Sequence, residues 1–337
     1  MQYYILDYIL ACDVLLNLYT QLMVTIEKPY VEFSDFLLRY FDGKMQKLSV
    51  NAGFTCPNRD GTVGWGGCTY CNNQTFNPAY CADERSVSQQ LEDGKLFFSK
   101  KYPLMRYLAY FQAYTNTYSD INGLRKLYEE ALSVDKVDGI VIGTRPDCVS
   151  DELLDYLSEL NREKFVLLEY GVESTLDKTL KRINRGHNFA CVKDAVQRTA
   201  AREIPVGVHV ILGLPGESRD EILSHADALS QLPINTLKLH QLQIVKGTAM
   251  AREFLEKKSD FYLYTADEYA ALVVDFVERL RADIAVERFT SQSPKELLIA
   301  PDWGLKNYQF VEIVKKLFRE RGTCQGAKCQ DVLEVMS

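Results

Sequence analysis

No excess of basic charge runs through this 337-residue chain: 46 Asp and Glu outnumber 39 Lys and Arg, for a formal net charge of −7 and a pI near 5.3. A global field that gathers nucleic acid is excluded, so any such contact must come from a local groove. An uninterrupted apolar run is also missing. Met1–Ile26 is apolar, but Asp7, Asp13 and Gln21 break it and no Lys or Arg precedes it. A secretory signal needs a positive start and a spanning helix needs a continuous stretch, so the segment reads as an amphipathic extension of a cytoplasmic protein with no membrane partner. There is no internal repeat and no low-complexity linker. No Gly-Lys-Ser/Thr follows the glycines, which argues against a phosphate-gripping P-loop. Nine cysteines without a secretory signal suit metal ligation in a reducing compartment better than a disulfide framework.

What is present is a composition that is 47% hydrophobic and 25% charged, long enough for one large α/β barrel or two ordinary domains. From residue 45 onward strands alternate with helices. The pattern predicts strands at Lys47–Val50, Arg106–Phe111, Gly139–Gly143, Phe165–Glu169, Val206–Leu212 and Thr236–Leu242. Helices are expected over Ser86–Lys101, on the face Leu124, Leu127, Tyr128, Ala131 and Leu132, after an N-cap at Ser150, and near 189–202 and 219–231. Continuous apolar strands between helices imply a parallel sheet with its helices outside. Six units are too few for an eightfold barrel, so the expected fold is a partial (βα)6 TIM-like barrel over residues 35–250. Residues 1–34 are set apart as an N-terminal extension. Residues 251–337, with helices near 265–282 and 307–321 and a strand at Ile284–Arg288, are expected to form a small C-terminal α/β appendage. Chemistry in such a barrel gathers at the carboxyl ends of the strands. The unusual motifs fall there: the cysteine loop, Tyr114–Tyr118, Thr144–Asp147, Gly171–Ser174 and Gly213–Ser218.

Cys56, Cys68 and Cys71 lie in a glycine-laden run directly after the first strand. Four thiolates close a [4Fe–4S] cluster; three leave one iron open to an outside ligand and make a catalyst of an electron carrier. Gly53, Gly61, Gly64, Gly66 and Gly67 let the backbone wrap closely around such a centre. On spacing alone, a zinc knot with Cys81 as fourth ligand is the alternative. Cys81, Cys148 and Cys191 otherwise read as inert thiols, and Cys324-x4-Cys329 is a metal spacing to which no role is given.

The spacing Cys56-x11-Cys68-x2-Cys71, within Ala-Gly-Phe-Thr-Cys-Pro-Asn-Arg-Asp-Gly, resembles the widened cluster motif of radical S-adenosylmethionine (SAM) proteins of the YhcC/YtqA type, relatives of the radical-SAM domain of the Elongator catalytic subunit. The likeness continues through Thr144-Arg-Pro-Asp147, Glu169-Tyr-Gly-Val-Glu-Ser174, Ile183-Asn-Arg-Gly-His187, Gly213-Leu-Pro-Gly-Glu217 and Pro294–Trp303, and covers about residues 35–330. It implies that Cys56, Cys68 and Cys71 hold a [4Fe–4S] cluster whose open iron is chelated by SAM, and that an electron then releases a 5′-deoxyadenosyl radical. The same resemblance sets Arg185 against the SAM carboxylate, makes Glu173 and Thr144 candidates for the ribose hydroxyls, and puts Tyr70 and the turn at Gly213 beside the adenine. Thr115 and Asn116 are candidate polar contacts in a stretch, Gln112–Thr117, that departs from the Gly-Gly-Glu element of many such enzymes. Gly143 stands where relatives often carry a glutamate, so one ribose contact is absent or supplied elsewhere. His209, alone on its strand, reads as a satisfied core residue. An external one-electron donor of the flavodoxin or ferredoxin type is implied.

For the substrate, the Elongator resemblance and Asn184-Arg-Gly-His187 suggest modification of a wobble-uridine side chain in tRNA. Arg59, Arg145, Lys181, Arg182 and Arg185 are its candidate phosphate-binding surface. The acidic balance weighs toward a second reading, a radical enzyme for a small metabolite or porphyrin-like molecule. A zinc-stabilised, non-catalytic interaction module is the third.

Overall fold

The computed structural model describes residues 28–73, 78, 80–81, 85–99 and 105–329; most of the expected N-terminal extension therefore lies outside the described residues. Seven parallel strands run in chain order across one curled sheet: β1 (Met45–Val50), β2 (Arg106–Phe111), β3 (Val137–Thr144), β4 (Phe165–Glu173), β5 (Val206–Leu212), β6 (Thr236–Gln241) and, after a short β7 (Ile244–Val245), β8 (Ala285–Arg288). A β9 (Leu298–Ala300) pairs antiparallel with β7. β2, β3 and β4 are buried along nearly their whole length, as strands covered on both faces must be. The expected partial barrel is present, with its six predicted strands in place.

The structure adds a seventh. β8, expected within the appendage, pairs with β6 through Thr236↔Ala285, Leu237↔Val286 and Lys238↔Arg288, skipping Glu287 in a bulge. Four residues carry too little alternation to announce a sheet edge. The helices Asp177–Arg182 and Ala249–Glu256 were likewise not foreseen, being short. The longer helices start where polar caps allow. Ser150 accepts from the Leu153 amide as expected, and Ser218 with Glu221 and Thr265 with Glu268 close capping boxes. The C-terminal helices Ala266–Arg279 and Asn307–Arg321 share the main core, with Tyr269, Trp303 and Phe310 in one aromatic stack. Among the described residues no helix is long and apolar enough to cross a membrane.

The barrel interior is layered. At the amino ends of the strands, the helix Phe33–Leu37 inserts Phe36 and Leu37 against Leu108, Val141, Phe165, Leu167 and Ala285. The Val286 amide donates to the Val31 carbonyl at 2.8 Å, and the Val31 amide donates to Gln325 Oε1 at 2.9 Å. Residues 28–37, partly assigned to the extension, thus close the bottom of the barrel. Phe36 is almost fully buried, edge-on to Phe165 at 6.3 Å. Phe36→Ala is expected to destabilise the fold by about 3–5 kcal/mol, because the ring's site cannot collapse onto flat strands; the midpoint of guanidinium unfolding measures it.

Candidate functional site

The cysteine loop leaves β1 and crosses the carboxyl ends of the strands. Its first residue is anchored to the helix Val87–Ser99: the Asn51 amide donates to Gln90 Oε1, and Gln90 Nε2 donates back to the Asn51 carbonyl, both at 2.8 Å. The chain then folds on itself, with the Gly67 amide donating to the Asn58 carbonyl and the Cys71 amide to the Cys68 carbonyl. Gly61 takes a φ of 95°, and a Cβ there would stand 2.3 Å from the Trp65 ring, so only glycine fits.

The segment Ile183–His187 clamps this loop. The Thr69 amide donates to the Ile183 carbonyl at 2.9 Å. Asn184, in the left-handed region at φ 53°, donates through Nδ2 to the carbonyls of Gly67 (2.8 Å) and Trp65 (3.2 Å). Asn58 Nδ2 returns a bond to the Asn184 carbonyl at 2.6 Å. Buried Arg145 holds Asp147 through two nitrogens, at 2.9 and 2.7 Å, and donates Nη1 to the Arg185 carbonyl. Both the Asn-Arg-Gly stretch and Thr-Arg-Pro-Asp therefore position the cysteine loop and Arg185.

Cys56, Cys68 and Cys71 line one cleft of about 1290 Å³, counted out to its open mouth. Tyr70, Thr115, Thr144, Glu173 and Arg185 line it with them. Arg185 is buried; Nη2 donates to the Gly171 carbonyl at 2.6 Å and lies 3.5 Å from Glu173 Oε1, while Nη1 reaches the Cys68 sulfur at 3.5 Å. A Cβ on Gly171 would come within 2.5 Å of Arg185, so the missing side chain makes room for that guanidinium. Burial first, then Cys68, push the Cys71 thiol up, and Arg59 opposes them. Arg185 Nε and Thr115 Oγ1 are buried without hydrogen-bond partners. An unsatisfied buried donor is costly, and both belong to residues of the cleft wall.

Other expected contacts fall differently. The Thr144 hydroxyl is 2.6 Å from that of Thr117, which donates on to the Cys148 carbonyl. Asn116 does not line the cleft; its Nδ2 donates to the carbonyls of Phe111 and Gly143, tying β2 to β3. Gly213, at φ 92°, borders a separate depression with Tyr264. Cys81 donates to the Ser49 carbonyl at 2.8 Å and is absent from the cleft wall, so the zinc alternative lacks its fourth ligand. Among the described residues no three His, Cys, Asp or Glu stand together as a group that could hold a metal ion, Cys56, Cys68 and Cys71 included. Of the expected phosphate surface, Arg145 and Arg185 are buried and Arg182 is paired with Glu253, while Lys181 is exposed and Arg59 half-buried.

Sequence reasoning missed a charged layer beneath the cleft, made by Lys47, Glu169, Lys238 and Glu287. The available signal was a charge in the middle of each apolar strand. His209, expected only as a core residue, pairs with Glu169 at 3.1 Å and lines the cleft.

A family profile described as the Radical SAM superfamily matches residues 54–229, and one described as the Radical_SAM C-terminal domain matches residues 234–320, beginning at β6. YtqA of Bacillus subtilis is 36% identical over 300 residues, spanning 89% of this chain and 92% of that protein. YhcC of Escherichia coli is 38% identical over 302 residues, spanning 88% and 94%. More distantly, a tRNA uridine(34) acetyltransferase of Methanocaldococcus infernus is 23% identical over 202 residues, 57% of this chain and 35% of that protein. Among solved structures, the archaeal Methanocaldococcus infernus Elp3 with an N-terminal deletion superposes with a TM-score of 0.63 at 16% identity, covering 83% of this chain and 64% of that one; the likeness is one of fold.

Asn184→Ala removes two bonds to the loop and leaves a left-handed residue without its side-chain support. Hydrogen exchange at the Gly67 and Thr69 amides should accelerate about 10- to 100-fold, matching a local loss of about 1–3 kcal/mol, while β5 amides keep their rates. Unchanged loop protection would show that the clamp does not order it.

Proposed function

Because the chain belongs to the radical SAM superfamily, we propose that it binds a [4Fe–4S] cluster through Cys56, Cys68 and Cys71, cleaves SAM reductively, and modifies the side chain of a wobble uridine in tRNA. The observation that carries the cofactor half is the opening of three thiols into the same cleft as a buried arginine with a free Nε. The residues fit the group: Asn58 Nδ2 and Arg185 Nη1 approach the Cys68 sulfur at 3.7 and 3.5 Å, donors suited to a thiolate. When bound, the cluster supplies the electron that breaks the sulfonium C–S bond, giving the radical that removes a substrate hydrogen.

The chain's own residues then orient and enclose. Arg185 Nε takes the SAM carboxylate, while the Gly171 carbonyl and Glu173 fix the guanidinium plane. Thr115 Oγ1 supplies a further polar contact and Tyr70 an aromatic wall. Ser291, Gln292 and Ser293, braced by Gln241 and Gln243, narrow the cleft on the C-terminal side and help to exclude water. An external flavodoxin or ferredoxin serves as electron donor.

The tRNA half is supported by the relative named for tRNA uridine(34) and by the fold shared with Elp3. The matched part is 35% of that relative, so its acetyl transfer is not carried over. A specific observation favours a second reading, a small metabolite as substrate: of the cations expected to meet phosphates, Arg145 and Arg185 are buried and Arg182 is paired with Glu253, which leaves Lys181 exposed and Arg59 half-buried.

Cys56→Ala, Cys68→Ala or Cys71→Ala should each abolish the iron–sulfur absorbance of anaerobically reconstituted protein, and full iron with SAM cleavage in any one of them refutes the ligand set. Arg185→Ala should weaken SAM binding by about tenfold or more, with iron content retained; equal loss of both would make Arg185 structural. Nucleosides from a deletion strain should show an altered wobble-uridine profile by mass spectrometry. An unchanged profile removes tRNA and leaves the metabolite.

A further inference from the structure

Between the apolar plug and the cysteine cleft, four strands contribute charged groups to one layer, and a fifth adds the Tyr110 hydroxyl. Lys47 of β1 donates to Glu169 of β4 at 2.7 Å and to Glu287 of β8 at 2.6 Å. Lys238 of β6 donates to Glu169 at 2.6 Å and to the Tyr110 hydroxyl of β2 at 2.9 Å, and lies 3.1 Å from Glu287. Two ammonium groups are thus balanced by two carboxylates.

A third cation breaks the balance. The β6–β8 register sets Arg288 beside Lys238, on the same face of the sheet. Its positive charge acts on His240, Tyr110 and Lys238. Arg288 is half-buried, and among the described residues it has neither a carboxylate partner nor a hydrogen bond. His240, two residues after Lys238 and so on its face, lines the cleft with its ring 5.5 Å from that of His209 and is likewise without a partner. Burial first, then Arg288, His209 and Lys238, hold its imidazole well below the ordinary range and therefore neutral.

A surplus guanidinium drawn half out of water, next to a neutral imidazole at the wall of an open cleft, is stabilised most by an anionic oxygen. We propose that His240, in the cleft wall, and Arg288, which stands behind that wall at the level of Lys238, form an anion-binding subsite at the inner end of the cleft, which takes a carboxylate or phosphate carried by the substrate. The inference rests on the cleft being the substrate chamber, as proposed above. Arg288 offers a planar, two-pronged contact and His240 one N–H donor. Pairing with Lys47 and Lys238 screens the two carboxylates that would otherwise repel the ligand.

The chain has four histidines, so each imidazole signal can be assigned in a ¹H–¹³C spectrum by single substitution. The full-length protein is titrated with inorganic phosphate and, separately, with acetate. The His240 signal should move saturably with at least one anion, while that of His225, buried in the helix Arg219–Ser230 against Thr175 and absent from the cleft wall, stays still. Arg288→Gln should weaken the response at least tenfold, with the His225 signal unmoved as the check on folding, and Arg288→Lys should retain part of it. A response to phosphate alone assigns a phosphate-bearing substrate, and to acetate alone a carboxylate. No saturable His240 shift with either anion, or an equal shift in Arg288→Gln, overturns the subsite. Formation of 5′-deoxyadenosine by reconstituted wild-type protein is measured separately, so that failure of the radical reading is distinguished from failure of the subsite.

Discussion

The hydrogen bonds between Asn58, Asn184 and the backbone of the cysteine loop are the constraint on which the site depends. A glycine-rich segment has little reason of its own to stay over a barrel mouth, because glycine loses more conformational freedom on ordering than other residues. Here the Asn184 side-chain amide takes two backbone carbonyls of the loop, and the Asn58 side-chain amide and the Ile183 carbonyl each take one backbone group of the facing segment. Arg145 then holds the Arg185 carbonyl from below. The three cysteines and the arginine that faces them are thus set by one network, and neither is free to shift without the other.

Beneath the network the barrel changes character with depth. Phe36, Leu37 and Phe165 seal its amino end with apolar surface. The layer above carries Glu169, which accepts from Lys47, Lys238 and His209. Glu169 is held well below the usual carboxylate range by Lys238 and Lys47 against the effect of burial, and Lys238 is pushed down to about 8 chiefly by burial. Buried ion pairs of this kind contribute little net stability, since desolvation offsets their attraction. Their presence in the interior of a barrel that opens on one side points to a role toward what enters from that side.

Radical SAM membership explains why the chain concentrates its glycines and three of its cysteines in one loop, and why an arginine is buried opposite them. It leaves the substrate to the cleft's inner wall. That wall is polar on the C-terminal side, through Gln241, Gln243 and Ser293, and carries Tyr110, Glu169, His209 and His240 at its inner end. Of the cations expected at the rim, Arg145 and Arg185 are instead turned inward to serve the cysteine loop.

Much of this was legible in the linear order of residues. Parallel strands buried on both faces must be largely apolar, so six of the seven strands were readable, and Cys56, Cys68 and Cys71 carried their own spacing. The four-residue β8 was not readable, since a segment that short declares neither its sheet nor its edge. Asn116 and Gly213 were placed near the cofactor by their motifs, yet the fold spends Asn116 on the β2–β3 junction and sets Gly213 beside Tyr264. Only the tertiary structure could bring Lys47, Glu169, Lys238 and Arg288 into one layer, because curling the sheet is what turns charges from distant strands toward a common axis. Local chemistry thus determined which loop holds sulfur; the closure of the barrel decided what that loop faces.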